Sequence, residues 1–193
     1  MSKTPMAGPA SLGNWMTMPA VRMLAVPLLF ATLVAAGGYL RVPIPGNPVP
    51  LTLQVLFVLL AGAFMTPAAA AGSMALFLVA GALGAPVFAG GGAGLGFLVG
   101  PTGGYLLGFV AGAVFCAMIL RGRRESYTRT LLAMAAALAG IHLFGVVHLG
   151  LYLGGDLGAA LRFDLPFLPA DIVKLAAASA ITSGTSAVFP RAE

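Results

Sequence analysis

A chain in which only 8% of residues are charged and 60% are hydrophobic cannot cover itself with a water-facing surface. Soluble domains carry roughly 25% charged residues. The missing polar surface therefore implies that lipid is the solvent, and lipid admits only helices or closed barrels as spanning structures. The 193 residues suffice for one domain. A single cysteine, Cys116, rules out an internal disulfide and any multi-cysteine metal site. The net charge of +5 is not organised into a basic run with interleaved aromatics, so it points to a membrane surface rather than to nucleic acid.

The apolar runs are punctuated by proline, glycine and charge, and six spans are predicted, over residues 23–40, 51–65, 67–83, 103–120, 130–153 and 169–188. The expected fold is an all-α bundle of six transmembrane helices in one membrane domain, residues 1–193. The first run lacks a cleavage-site pattern and is read as a retained span rather than a signal peptide. Ala31 and Ala35, four apart, place small side chains on one face of it. Four prolines keep residues 41–50 extended. Thr66-Pro67 has the pattern of an N-cap followed by proline at the first helical position. Residues 84–102 are uncharged yet rich in glycine and proline. They are too apolar for a solvated loop and too broken for a helix, so they are expected against protein or a cavity. Residues 154–168 read as a polar loop.

Six spans put both termini on one side. Placed in the cytoplasm, that side collects Lys3, Arg22, Arg121, Arg123, Arg124, Arg129 and Arg191, against Arg41 and Arg162 outside. The proline-rich, glycine-rich and Asp156-bearing connections then converge on the outer face.

Asp171 and Lys174 are the sharpest chemical signal. They lie three apart in the sixth apolar segment, on one helix face, and charge inside a membrane segment marks a functional site by default. Such a pair suits a small ligand that has a carboxylate and polar N–H groups. Lys174 either pairs the carboxylate or donates to a carbonyl, and Asp171 accepts N–H bonds; the sequence leaves the assignment open. Gln54 and Tyr105 fall near outer helix ends. The glycine loop is neither a dinucleotide fingerprint nor a P-loop, because Val99 stands where the third glycine belongs and no lysine follows glycine in the required order. His142 and His148, six apart, miss the spacing of paired metal ligands, and each is expected to satisfy a hydrogen bond inside the bundle. No catalytic constellation is visible, so an enzyme acting on a lipid or acyl substrate is the remote alternative.

Four segments together resemble the BioY family of biotin-binding S components of energy-coupling factor (ECF) transporters. They are Pro48-Val-Pro-Leu-Thr-Leu-Gln54, Gly84-Ala-Pro-Val-Phe-Ala-Gly-Gly91, Gly100-Pro-Thr-Gly-Gly-Tyr-Leu-Leu-Gly-Phe109 and Pro166-Phe-Leu-Pro-Ala-Asp-Ile-Val-Lys174. Ala170, beside the acid, departs from an expected glycine. The resemblance implies a substrate-binding subunit in the cytoplasmic membrane of a prokaryote. Its partners would be biotin, a transmembrane coupling subunit and cytoplasmic ATPases, with no cofactor of its own and ATP hydrolysis confined to those partners. It implies a biotin site from Asp171, Lys174, Phe88, Gly90, Gly91, Thr102, Tyr105 and Gln54. The Ala31/Ala35 face would meet the coupling subunit. The alternative within transport is a self-sufficient biotin carrier.

Overall fold

The computed structural model describes residues 19–121 and 126–185, with side chains in the first helix from residue 23. The predicted tail, Lys3, Arg123, Arg124, Arg191, the side chain of Arg22 and the end of the sixth expected span lie outside the described residues.

The chain is mostly helical. Its order is α1 (Pro19–Tyr39), β1 (Arg41–Val42), β2 (Leu51–Thr52), α2 (Gln54–Phe64), α3 (Pro67–Ala82), α4 (Gly96–Val99), α5 (Gly103–Leu120), α6 (Tyr127–Tyr152), α7 (Leu157–Asp164) and α8 (Leu168–Thr185). Single 3-10 turns cover Ala89–Gly91 and Leu165–Phe167. Local chemistry accounts for the helix ends. The Thr66 hydroxyl accepts from the Ala69 amide at 3.3 Å, and Pro67 opens α3 as predicted. Ser126 caps α6 in the same manner, and Arg121 closes α5 in a left-handed conformation. The proline-rich segment is extended, as expected, and returns on itself as a two-residue antiparallel hairpin.

Helices α1, α2, α3, α5, α6 and α8 fall on the six apolar runs, to within a few residues where the ends are described. Their lengths are less uniform than the fold expectation. Gly103–Leu120, Tyr127–Tyr152 and the continuous run Leu157–Thr185 are long and apolar enough to cross a bilayer, whereas Met23–Tyr39, Gln54–Phe64 and Pro67–Ala82 are shorter. Two further helices, α4 and α7, replace what were read as an unbroken irregular segment and a polar loop. The α7 helix forms because Asp156 caps it, accepting from the Ala159 amide at 2.7 Å, and because Ala160 packs inward.

The most extensive interface joins α5 to α6. Gly104, Gly108 and Gly112 lie along it at every fourth position. A Cβ at Gly104 would stand 2.3 Å from the Phe144 carbonyl oxygen, so the seam requires glycine. Helices α1, α2 and α3 pack together on the other side of α5, and α8 closes against α2 and α6. The Ser73 hydroxyl ties α3 to α1 by donating to the Pro27 carbonyl at 2.7 Å. Leu24, Val79, Leu132, Leu143, Leu151 and Val173 are all exposed. Apolar residues around the whole perimeter belong against hydrocarbon.

The small residues Ala31 and Ala35 of α1 pack within the chain itself. Ala31 is buried against neighbouring helices of its own chain, and Ala35 is half-buried against the core. Their small size admits α2 and α3, and Met23, Leu24, Leu28 and Leu29 of α1 are exposed.

Candidate functional site

The hairpin, residues 84–102 and the α6–α8 connection gather at one end of the bundle, and long-range bonds hold them there. The Asn47 side-chain amide donates to the Phe163 carbonyl at 2.7 Å, fastening the hairpin loop to α7. The Tyr39 hydroxyl donates to the Pro86 carbonyl, and the Gly94 amide donates to the Gly81 carbonyl at 2.7 Å. His148 meets the Gly100 carbonyl at 3.0 Å, so the glycine-rich segment is anchored along its whole length.

Beneath these connections lies a cavity of about 570 Å³, measured out to its open mouth. Its wall is aromatic. Phe88 is fully buried, meets Phe77 edge-on at 5.4 Å and lies 5.6 Å from Phe97, and Phe109 continues the cluster beside Phe77. Gly81 makes room for Phe88, since a Cβ there would come within 2.2 Å of the ring. On the other flank Tyr105 meets Phe167 edge-on at 6.0 Å.

The floor is polar. Lys174 donates to Asp171 Oδ1 at 2.6 Å; the residues are 8% and 3% exposed, one helical turn apart at the start of α8. Asp164 joins them because α7, the 3-10 turn and α8 run on as one helical path. Residues seven apart on such a path share a face. His142 of α6 stands between the two acids, with Nδ1 2.7 Å from Asp164 Oδ1 and Nε2 3.3 Å from Asp171 Oδ2. The first contact is a hydrogen bond; the second has ion-pair distance without hydrogen-bond alignment, leaving Nε2 buried and unbonded. Tyr105 donates to Asp164 Oδ1 at 2.8 Å. Five side chains from four helices thus form one row: Tyr105, Asp164, His142, Asp171 and Lys174. The two carboxylates address opposite ring nitrogens and do not converge on a common point. No cluster able to hold a metal ion occurs among the described residues.

Gln54, at the start of α2, is 2% exposed and also lines the cavity. Its Oε1 accepts from the Thr52 hydroxyl at 3.3 Å, while Nε2 is buried without a partner. An unsatisfied buried donor costs about 1–3 kcal/mol. Such a group at a cavity wall is satisfied when a ligand brings an acceptor.

Of the residues singled out in the sequence, Asp171, Lys174, Phe88, Thr102, Tyr105 and Gln54 line the cavity. Gly90 and Gly91 do not. They have φ of 69° and 78° and form the turn behind the lining residue Ala89, where Arg41 and Tyr39 pack on them. Their role is conformational, since side chains there would be strained and would strike those neighbours. Each histidine does make a hydrogen bond within the bundle, as expected. What sequence reasoning missed is that His142 belongs to the floor and that Asp164 backs it. The spacing of Asp164, Asp171 and Lys174, seven and three, was the available signal; Pro166 and Pro169 masked it by suggesting a break.

The BioY family model matches residues 7–191. A protein of Thermotoga maritima described as the biotin transporter BioY is 36% identical over 162 residues, covering 83% of this chain and 94% of its own. A probable biotin transporter BioY of Pyrococcus horikoshii is 40% identical over 150 residues, covering 78% and 87%. The biotin transporter BioY of Rhodobacter capsulatus is 34% identical, covering 76% and 84%. A crystal structure described as the S-component for biotin from an ECF-type ABC transporter superposes with a TM-score of 0.81 at 23% identity, over 92% of this chain and 95% of that one. With the family model spanning nearly the whole chain and relatives above 30% identity covered almost end to end, this chain belongs to the BioY family.

Proposed function

We propose that the chain captures biotin for uptake, as the substrate-binding S component of an ATP-driven ECF transporter, and is not an enzyme. The observation that carries this reading is a charged floor buried under an aromatic cavity, in a lipid-facing bundle of the BioY family. Biotin combines an apolar sulfur-containing bicycle, a ureido group with two N–H donors and one acceptor, and a carboxylate tail. Phe88, Phe97 and Tyr105 match the ring system. Asp171 supplies an acceptor, and Lys174 and the unpartnered Gln54 Nε2 supply donors.

The six longer helices each cross the membrane, three with help from flanking residues, and both termini lie in the cytoplasm. The cavity opens outward, because Arg121 and Arg129 lie at the opposite end. The chain carries no nucleotide motif, so ATP is hydrolysed by cytoplasmic partners coupled through a transmembrane subunit. The setting is the inner membrane of a prokaryote.

Calorimetric titration of biotin into the purified chain tests the capture reading. Saturable binding is expected for the wild type, and Asp171→Asn and Lys174→Ala are expected to lose it. Unchanged affinity in both variants would refute the site. Uptake into vesicles with and without the ATPase partners tests the coupling.

A further inference from the structure

His142 is the one floor residue with a nitrogen facing each of two buried carboxylates, and the arrangement constrains its charge. A neutral imidazole has one N–H donor and one lone pair. A lone pair on Nδ1 would face Asp164 Oδ1 at 2.7 Å, and one on Nε2 would lie 3.3 Å from the negative Asp171 Oδ2, out of hydrogen-bond alignment but at ion-pair distance. The doubly protonated ring donates to Asp164 and sets positive charge at ion-pair distance from Asp171 Oδ2.

Charge balance leads to the same state. The groups facing the ring are Tyr105 from α5, Asp164 from α7, and Asp171 and Lys174 from α8; α2 contributes only the neutral Gln54. Two carboxylates and one ammonium leave a net negative charge in a membrane-embedded bundle, which is costly. An imidazolium makes the floor neutral. Asp164 is itself held in place by the Tyr105 hydroxyl.

We propose that His142 is a permanent imidazolium that neutralises the paired acids, and that with Asp164 it acts as a positioning residue for Asp171. Lys174 takes Oδ1; the ring keeps Oδ2 oriented while leaving its lone pairs for ligand N–H groups, since no hydrogen bond forms between them. The role toward ligand rests on the biotin reading; the charge state does not.

Nitrogen-15 NMR of histidine-labelled full-length protein in nanodiscs, at about pH 8 where a solvent-exposed imidazole is neutral, reads the charge directly. Only two histidines contribute, and the signals lost in His142→Gln identify the ring. Both nitrogens are expected to be protonated in the wild type, with or without biotin, and one to lose its proton in Asp164→Asn. Biotin affinity supplies the second arm. His142→Gln is expected to weaken binding by about tenfold or more. The double variant His142→Gln/Asp164→Asn, which restores neutrality, is expected to recover most of that loss. A lone-pair nitrogen in the wild type, or a double variant weaker than the single, overturns the proposal. Wild-type protein that binds no biotin overturns the capture reading alone, because the NMR arm still decides the charge.

Discussion

Replacing Lys174 by methionine keeps most of the side-chain volume and removes the charge. Its partner Asp171 is 3% exposed and bonded at 2.6 Å, so solvent does not screen the loss. Removing one member of a buried pair costs about 3–5 kcal/mol, since the other charge is stranded. His142 stands 3.3 Å from the second Asp171 oxygen and retains part of the compensation, which places Lys174→Met near the lower end. For a chain of this size ~3 kcal/mol lowers Tm by on the order of 10 °C. The assay is built in, because Cys116 is the only cysteine and is fully buried, so a thiol-reactive fluorogenic dye reports unfolding. The double variant Asp171→Leu/Lys174→Met replaces the pair with apolar groups of similar size and is expected to regain most of the Tm. Biotin binding is expected to be absent in both. A single variant that melts within about a degree of the wild type, or a double variant no more stable than the single, would refute the reasoning.

Gln54→Leu removes a buried donor that has no partner; it is expected to raise Tm by a few degrees while weakening biotin by about tenfold, and a parallel loss of both would contradict a ligand-directed amide. Gly81→Ala puts a Cβ 2.2 Å from the Phe88 ring, which should drive the ring into the cavity and raise the biotin Kd at least ~tenfold, measured by titration. Gly104→Ala forces α5 from α6 at the Phe144 carbonyl and should cost about 1–3 kcal/mol in dye-monitored melting, an effect that Gly140→Ala, with open space around it, should not reproduce.

How far the sequence could be read depended on whether a feature was local. Helix positions followed from apolar runs bounded by glycine, proline and charge, and Thr66-Pro67 marked a boundary that the structure keeps. Asp171 and Lys174 were visible because two charges one turn apart in an apolar segment need no tertiary information. Helix α7 was legible in retrospect from its cap Asp156 and from Arg162 in its last turn, but its short polar composition resembled a loop. His142 was weighed against His148, its neighbour in sequence, whereas its true partners come from α7 and α8. Ala31 shows what a local pattern leaves open: small residues four apart announce a close helix contact, but composition does not tell whether the contact is with another subunit or with α2 and α3.

The shortness of α2 has a consequence for how the protein meets its bilayer. Eleven residues rise only ~16 Å, about half the hydrocarbon thickness, yet eight of them are buried by other parts of the chain. Lipid tails therefore do not register the length of α2. The thickness this protein prefers is set by α5, α6 and the α7–α8 run, and a shift to thicker or thinner bilayers should strain those helices while sparing the stub that carries Gln54.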